Sequence, residues 1–154
     1  MAAHTDNSIV IEAPFDLVWD WTNDVEDWPN LFTEYSGAEV LERDGDTIRF
    51  RLTMHPLPNG EVWTWISERT MDKANRTVTA RRIELGWFEY MRLHWTYEDV
   101  PGGVKMRWQQ DFTMRSDAPW PDDAVAEKIN SSSKVQMAHI KQRLEQRYAA
   151  LAVS

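Results

Sequence analysis

The sequence predicts an α+β fold: an antiparallel sheet of about seven strands wrapped around one long C-terminal helix, with two short helices after the first strand and a cavity between sheet and helix. Three observations predict it. Residues 35–114 alternate apolar and polar positions with period two, as strands with one wet face do. Pro119-Trp120-Pro121-Asp122-Asp123 then stops that pattern and opens a helical one that runs to about residue 150. Ahead of the sheet, a short apolar run is followed by two brief helical patterns. At 154 residues the chain suits one hydrophobic core, so residues 1–154 are read as a single domain.

Asn7 to Glu12 reads as a short strand. Ala13-Pro14 opens a helix, because proline is tolerated in a first turn and Leu17, Val18, Trp19 and Trp21 supply apolar positions. Trp19 and Trp21 cannot both face inward, since residues two apart lie on different sides of a helix. A second short helix is expected from Asp24 to Leu31. Ile48, Phe50, Leu52 and Met54 alternate with Arg49, Arg51 and Thr53 as a half-buried strand. Strands follow at about residues 61–69, 77–84, 90–100 and 104–114, the last two joined by Pro101-Gly102-Gly103, a hairpin turn. The final helix carries the stripe Ile129, Ser133, Met137, Ile140, Leu144, Tyr148 and Leu151. That stripe is polar around Asn130 to Ser133, so its first part is expected to cover water or a ligand.

Composition narrows the function. The chain has no cysteine, which excludes a disulfide framework, a thiolate metal site and a cysteine nucleophile. Its four histidines lack ligand-like spacing, so neither a metal nor another cofactor is expected. No apolar run approaches the roughly 20 residues that span a bilayer. The first residues lack the basic and apolar regions of a signal peptide, and a cytoplasmic location is expected. A net charge of −8 disfavours nucleic acid and anionic membrane as partners. The charge is uneven: residues 1–46 hold twelve acids and one base, residues 47–154 thirteen acids and sixteen bases. An acidic partner is therefore expected to approach the second half, with Lys128, Lys134 and Arg107 as candidate contacts.

Nine tryptophans stand in an otherwise polar chain, and they build either a bulky core or an aromatic-walled pocket. Strand parity sorts them. Met91, Leu93, Trp95 and Tyr97, and Met106, Trp108, Gln110 and Phe112, lie on faces opposite to Arg92, His94, Lys105 and Arg107. The Trp- and Met-rich faces are thus the inner ones. If Trp63 and Trp65 point inward, Ser67 and Arg69 follow. An inward arginine serves either a structural ion pair, with Glu84 as one partner, or an anion or polarised carbonyl in a water-poor cavity. Parity with Val78 and Ala80 selects Arg82 as a second inward cation, and parity with Arg92 leaves His94 outside.

The opening Ile11-Glu-Ala-Pro-Phe-Asp-Leu-Val-Trp19, followed by Asn23-Asp24-Val-Glu-Asp-Trp28-Pro29, resembles that of helix-grip domains, the Bet v 1 and START-related binders. More specific are Thr5-Asp6-Asn7-Ser8-Ile9, Leu31-Phe-Thr-Glu-Tyr35, Glu61-Val-Trp-Thr-Trp-Ile-Ser-Glu-Arg69, Tyr90-Met-Arg-Leu-His-Trp-Thr-Tyr97 and Met106-Arg-Trp108. Together they resemble the single-domain aromatase/cyclases of bacterial type II polyketide synthases, of the tetracenomycin and spore-pigment kind.

The resemblance implies a helix-grip fold and an activity. The activity is folding a poly-β-ketone borne by an acyl carrier protein, closing its first ring by aldol condensation and dehydrating it to an aromatic ring. It implies Arg69, Tyr35 and Ser67 as catalytic residues. Trp28, Phe32, Trp63, Trp65, Phe88, Met91, Trp95 and Trp108 are implied or placed by parity as walls, with Arg82 and Gln110 as polar wall positions. Other synthase subunits are implied partners. A cation beside Tyr35 is expected to favour its charged form. The rival readings are a non-catalytic carrier of a lipid, quinone or polyketide, and an interaction module using the outer sheet face.

Overall fold

A computed structural model describes residues 2–152. Its elements run β1 (Ala3–Ile11), α1 (Phe15–Asn23), a 3₁₀ turn (Val25–Asp27), α2 (Trp28–Leu31), β2 (Tyr35–Asp44), β3 (Thr47–Met54), β4 (Thr64–Asp72), β5 (Thr77–Arg82), β6 (Phe88–Val100), β7 (Gly103–Met114) and α3 (Asp122–Ala152). The strands form one antiparallel sheet in the order β1-β7-β6-β5-β4-β3-β2. Apart from β1, every strand lies beside its neighbour in sequence, as hairpin connections favour. With α3 packed against the inner face, this is the helix-grip fold.

Two strands differ from expectation. β1 begins four residues earlier than the apolar pattern suggested and pairs with β7 from Ala3↔Phe112 to Ile11↔Val104. Its inward positions include Thr5 and Asn7, both buried, so no hydrophobic alternation marks it. β4 begins at Thr64 and extends to Asp72, leaving Glu61 to Trp63 outside it. At the β6–β7 hairpin, Gly103 has φ +147° and a Cβ there would lie 2.0 Å from the Ile11 carbonyl oxygen, so only glycine fits.

The core lies between the sheet and the helices. Met137, Ile140 and Leu144 of α3 are fully buried, together with Ile11, Val18, Leu31, Phe50 and Met106. Met91, Phe112 and Met114 form a second, smaller cluster under the first turns of α3, with Phe88, Val125 and Ile129 beside it. The expected stripe on α3 ends early: Tyr148 and Leu151 are exposed. No helix among the described residues is long and apolar enough to cross a membrane.

Candidate active site

Strand register carries the inward side chains to one region. Thr5, Gln110, Leu93, Ala80, Arg69 and Ile48 are successive partners across the sheet, and Asn7, Trp108, Trp95, Val78 and Met71 form the next row. Parity along β4 holds for its three key residues: Trp65 is half-buried, and Ser67 and Arg69 are buried. Arg69 is 1 % exposed and is the largest of the fully buried side chains.

Burial of a guanidinium demands compensation, and here it does not come from an acid. Arg69 Nε and Nη2 donate to Asn23 Oδ1 at 3.2 and 2.8 Å. The guanidinium lies over the rings of Trp95, at 4.1 Å from the centroid, and Trp28, at 5.2 Å. No carboxylate pairs with it among the described residues, and Glu84 instead meets Arg51 at 3.2 Å. Desolvation pulls the pKa of Arg69 down to about 10, opposed by Tyr97 and Tyr35. Asn23 closes α1, and its orientation is set by its Nδ2, which donates to the Trp19 carbonyl at 2.9 Å.

Tyr35, at the start of β2, is buried among Trp28, Phe32 and Trp65, with ring centroids 5.1 to 6.2 Å away. Burial pushes its pKa well above the ordinary value. The Glu34 charge and its hydrogen bond to the hydroxyl push the same way, and Arg82 and Arg69 only partly offset them. The expectation that a neighbouring cation favours tyrosinate is therefore corrected: desolvation outweighs the cations, and Tyr35 is a neutral donor. Burial also raises the pKa of Glu34, against its hydrogen bond with Tyr35 and the charge of Lys128.

The remaining wall positions divide. Trp28, Phe32, Trp95 and Trp108 form a closed set of touching rings, with Trp95 and Trp108 stacked at 4.6 Å, Phe32 on Trp108 at 5.8 Å and Trp28 on Trp95 at 6.0 Å. Arg82, opposite Ser67 in register, covers Trp65 at 4.7 Å and Phe88 at 5.0 Å, and desolvation lowers its pKa to about 10. Phe88 and Met91 belong to the smaller cluster near α3. Gln110 is half-buried between Thr5 and Leu93.

Trp63 does not face inward as expected. It precedes β4, is 38 % exposed, and rests on Trp120 at 6.1 Å, although its carbonyl still accepts the Met54 N–H at 2.9 Å. Two polar side chains of α3 are already partnered. Asn130 accepts from Asn7 at 3.0 Å, and Gln136 both accepts from the Thr33 N–H and donates to its hydroxyl, each at 2.8 Å. These side chains clamp β1 and the segment before β2 to the helix, and so position Tyr35.

Asn23 and Glu34 escaped the sequence reading. Asn23 looks like a helix-end residue, and Glu34 lies in a turn where strand parity does not apply, although both fall within the quoted motifs. The assembled site offers a buried cation without a counter-ion, a neutral phenol and a carboxylate of raised pKa. Such a set stabilises negative charge developing on an oxygen and moves a proton beside it.

Comparison with known proteins gives the lineage. A Streptomyces cyaneus protein provisionally named a polyketide cyclase is 55 % identical over 146 residues, covering 95 % of this chain and 96 % of that one. A Streptomyces halstedii protein of the same provisional name is 62 % identical over 108 residues, 70 % of this chain and 99 % of its own. The crystal structure of the ZhuI aromatase/cyclase from Streptomyces sp. R1128 superposes with a TM-score of 0.83 over 96 % of both chains. At 22 % identity that likeness carries the fold. Residues 11–138 match the family model described as polyketide cyclase / dehydrase and lipid transport, and the chain belongs to that family.

Proposed function

We propose that this chain is an aromatase/cyclase that closes the first ring of a poly-β-ketone borne by an acyl carrier protein and dehydrates it to an aromatic ring, within a type II polyketide synthase. The observation that carries the reading is Arg69, a buried cation held by a neutral amide and two indole faces. A proton between two carbonyls is already acidic, so the step needs a base, a stabiliser of oxyanions and a donor. The Glu34 carboxylate takes that proton. The enolate carbon attacks a ketone carbonyl along the same chain, forming one C–C bond, and the carbonyl electron pair becomes an alkoxide beside Arg69. Tyr35 O–H protonates the alkoxide and regains a proton from Glu34, so the enzyme ends as it began. Loss of the hydroxyl and a ring proton as water completes aromatisation. Ser67, opposite Arg82, holds a water for this relay.

A chain of this kind cyclises in several ways, so orientation by Trp28, Phe32, Trp65, Trp95 and Trp108 matters as much as rate. The walls also suit carriage of an apolar ligand, as the lipid-transport branch of the family name suggests. An interior cation without a counter-ion serves no purpose for an apolar ligand and costs stability.

The test is a reconstituted synthase assay with Arg69→Ala. Correctly cyclised product should give way to shunt products while the fold, followed by circular dichroism, persists. An unchanged product profile would remove Arg69 from the mechanism and leave carriage as the better reading.

A further inference from the structure

The interior contains a wall of donors without acceptors. Thr5 Oγ1, Trp95 Nε1 and Trp108 Nε1 are buried and have no hydrogen-bond partner among the described residues. The three residues are 2 %, 4 % and 4 % exposed. The fourth such atom, Asp122 Oδ2, belongs to a carboxylate whose other oxygen accepts the Met114 N–H at 2.9 Å. Other interior polar groups are served: Trp28 Nε1 donates to the Thr22 carbonyl at 3.1 Å, and the Tyr97 hydroxyl meets Thr22 Oγ1 at 2.8 Å.

The unmet donors are neighbours. Trp95 and Trp108 are register partners, and Thr5, opposite Gln110, lies one pleat from Trp108 on the adjacent strand. Ring contacts do not satisfy them. An indole N–H lies in the ring plane, whereas Trp108 stacks on Trp95 at 16° and Arg69 covers the Trp95 ring. The faces are occupied by rings and a guanidinium, and the N–H edges are enclosed without meeting an acceptor. Buried donors left unmade are costly and so are rare in native interiors.

We infer that Thr5, Trp95 and Trp108 form a second polar subsite that accepts carbonyl oxygens of the bound chain away from the carbonyl at Arg69. An indole N–H only donates, so the complementary ligand group is an acceptor. A fatty acyl tail offers none along its length. A chain with a ketone on alternate carbons offers one at each turn of the wall, and the subsite selects it over a lipid of equal length. The inference rests on the proposed function for the identity of that chain.

The test uses two probes of one carbon skeleton, 1-phenylbutane-1,3-dione and n-butylbenzene, with the indole N–H resonances of the ¹⁵N-labelled full chain as readout. Trp95→Phe and Trp108→Phe assign the two resonances. The dione should move both downfield and n-butylbenzene should not. Thr5→Val, close to isosteric, should weaken the dione by about 2- to 10-fold, the worth of one hydrogen bond, and leave n-butylbenzene within about twofold. Thr5→Val carries the test if either Phe variant fails to fold. Dione binding with both resonances unmoved overturns the inference, as does binding of neither probe. Resonances already downfield in the free protein, exchanging with water and unchanged by the dione, assign the donors to a resident water and overturn it too. If Arg69→Ala leaves the product profile intact while the dione still moves both indoles, the reaction is misread and the subsite stands.

Discussion

Arg69 and Asn23 form a two-pronged contact in which one amide oxygen accepts from Nε at 3.2 Å and from Nη2 at 2.8 Å. The residue at position 23 therefore decides how much positive potential the interior keeps. An amide orients the guanidinium without neutralising it, and the charge remains available to a ligand. A carboxylate there would make a buried ion pair, satisfying the arginine and spending its field locally.

Asn23→Asp should accordingly fold and lose function. The new carboxylate lies against Arg69, so its folded pKa falls below the ordinary value of about 3.9. Whatever stability it adds is present above that value and lost as pH falls through the folded pKa. Turnover in the reconstituted assay should drop at least about tenfold, the cost of quenching an oxyanion stabiliser being on the order of 10²–10³ when removal is complete. Thermal unfolding across pH 3–7 beside turnover checks both halves. Undiminished turnover would show that Arg69 acts by shape alone.

The tyrosines give a prediction at the opposite end of the pH scale. Tyr35 and Tyr97 are buried with pKa values raised above 10, Tyr35 chiefly by desolvation and then by Glu34, and Tyr97 by desolvation against the charge of Arg69. Above pH 10 the unfolded chain releases these protons and the folded chain keeps them, so this contribution is lost as pH rises through the folded values. Tyr35→Phe and Tyr97→Phe should each flatten the alkaline decline by up to about 1.4 kcal/mol per pH unit. Urea unfolding at successive pH values measures the slopes. A Tyr35→Phe slope equal to the parent's would mean that Tyr35 ionises in the folded state, restoring tyrosinate as a base.

What the sequence reveals follows from which forces leave a periodic trace. Strands β6 and β7 and the helix α3 are legible because burial of one face imposes alternation at two or a stripe at 3.6 residues. The first half of β1 is hidden because its inward residues, Thr5 and Asn7, are polar, and the same polarity makes them part of the site region. Ser67 and Arg69 are legible through their strand, whereas Trp63 misleads because it precedes Thr64, where the strand and its alternation begin. Asn23 and Glu34 act through distance and direction from elements that no period describes. The hydrogen bonds that Asn130 and Gln136 make to other segments of the chain are likewise invisible to a helical stripe.

Docking of the proposed carrier protein supplies the last prediction. The three cations expected to meet it differ in the fold. Arg107 lies on the outer sheet face and donates to both oxygens of Asp6, from Nε at 2.8 Å and also from Nη2, holding that carboxyl below its ordinary pKa. Its charge is already matched. Lys128 and Lys134 stand exposed on the first half of α3, and the field of Lys128 reaches Glu34 beside Tyr35. A carrier delivering its chain to the site is therefore expected to meet the helix side. Lys128→Glu and Lys134→Glu should each lower kcat/KM for the carrier-borne substrate by about 2- to 5-fold at low salt, the range of exposed charge pairs. The difference should shrink as ionic strength shortens the Debye length. Arg107→Gln should leave kcat/KM within about twofold by the same scale. The reverse pattern, with Arg107 dominant and the lysines silent, would move the docking surface to the outer face of the sheet.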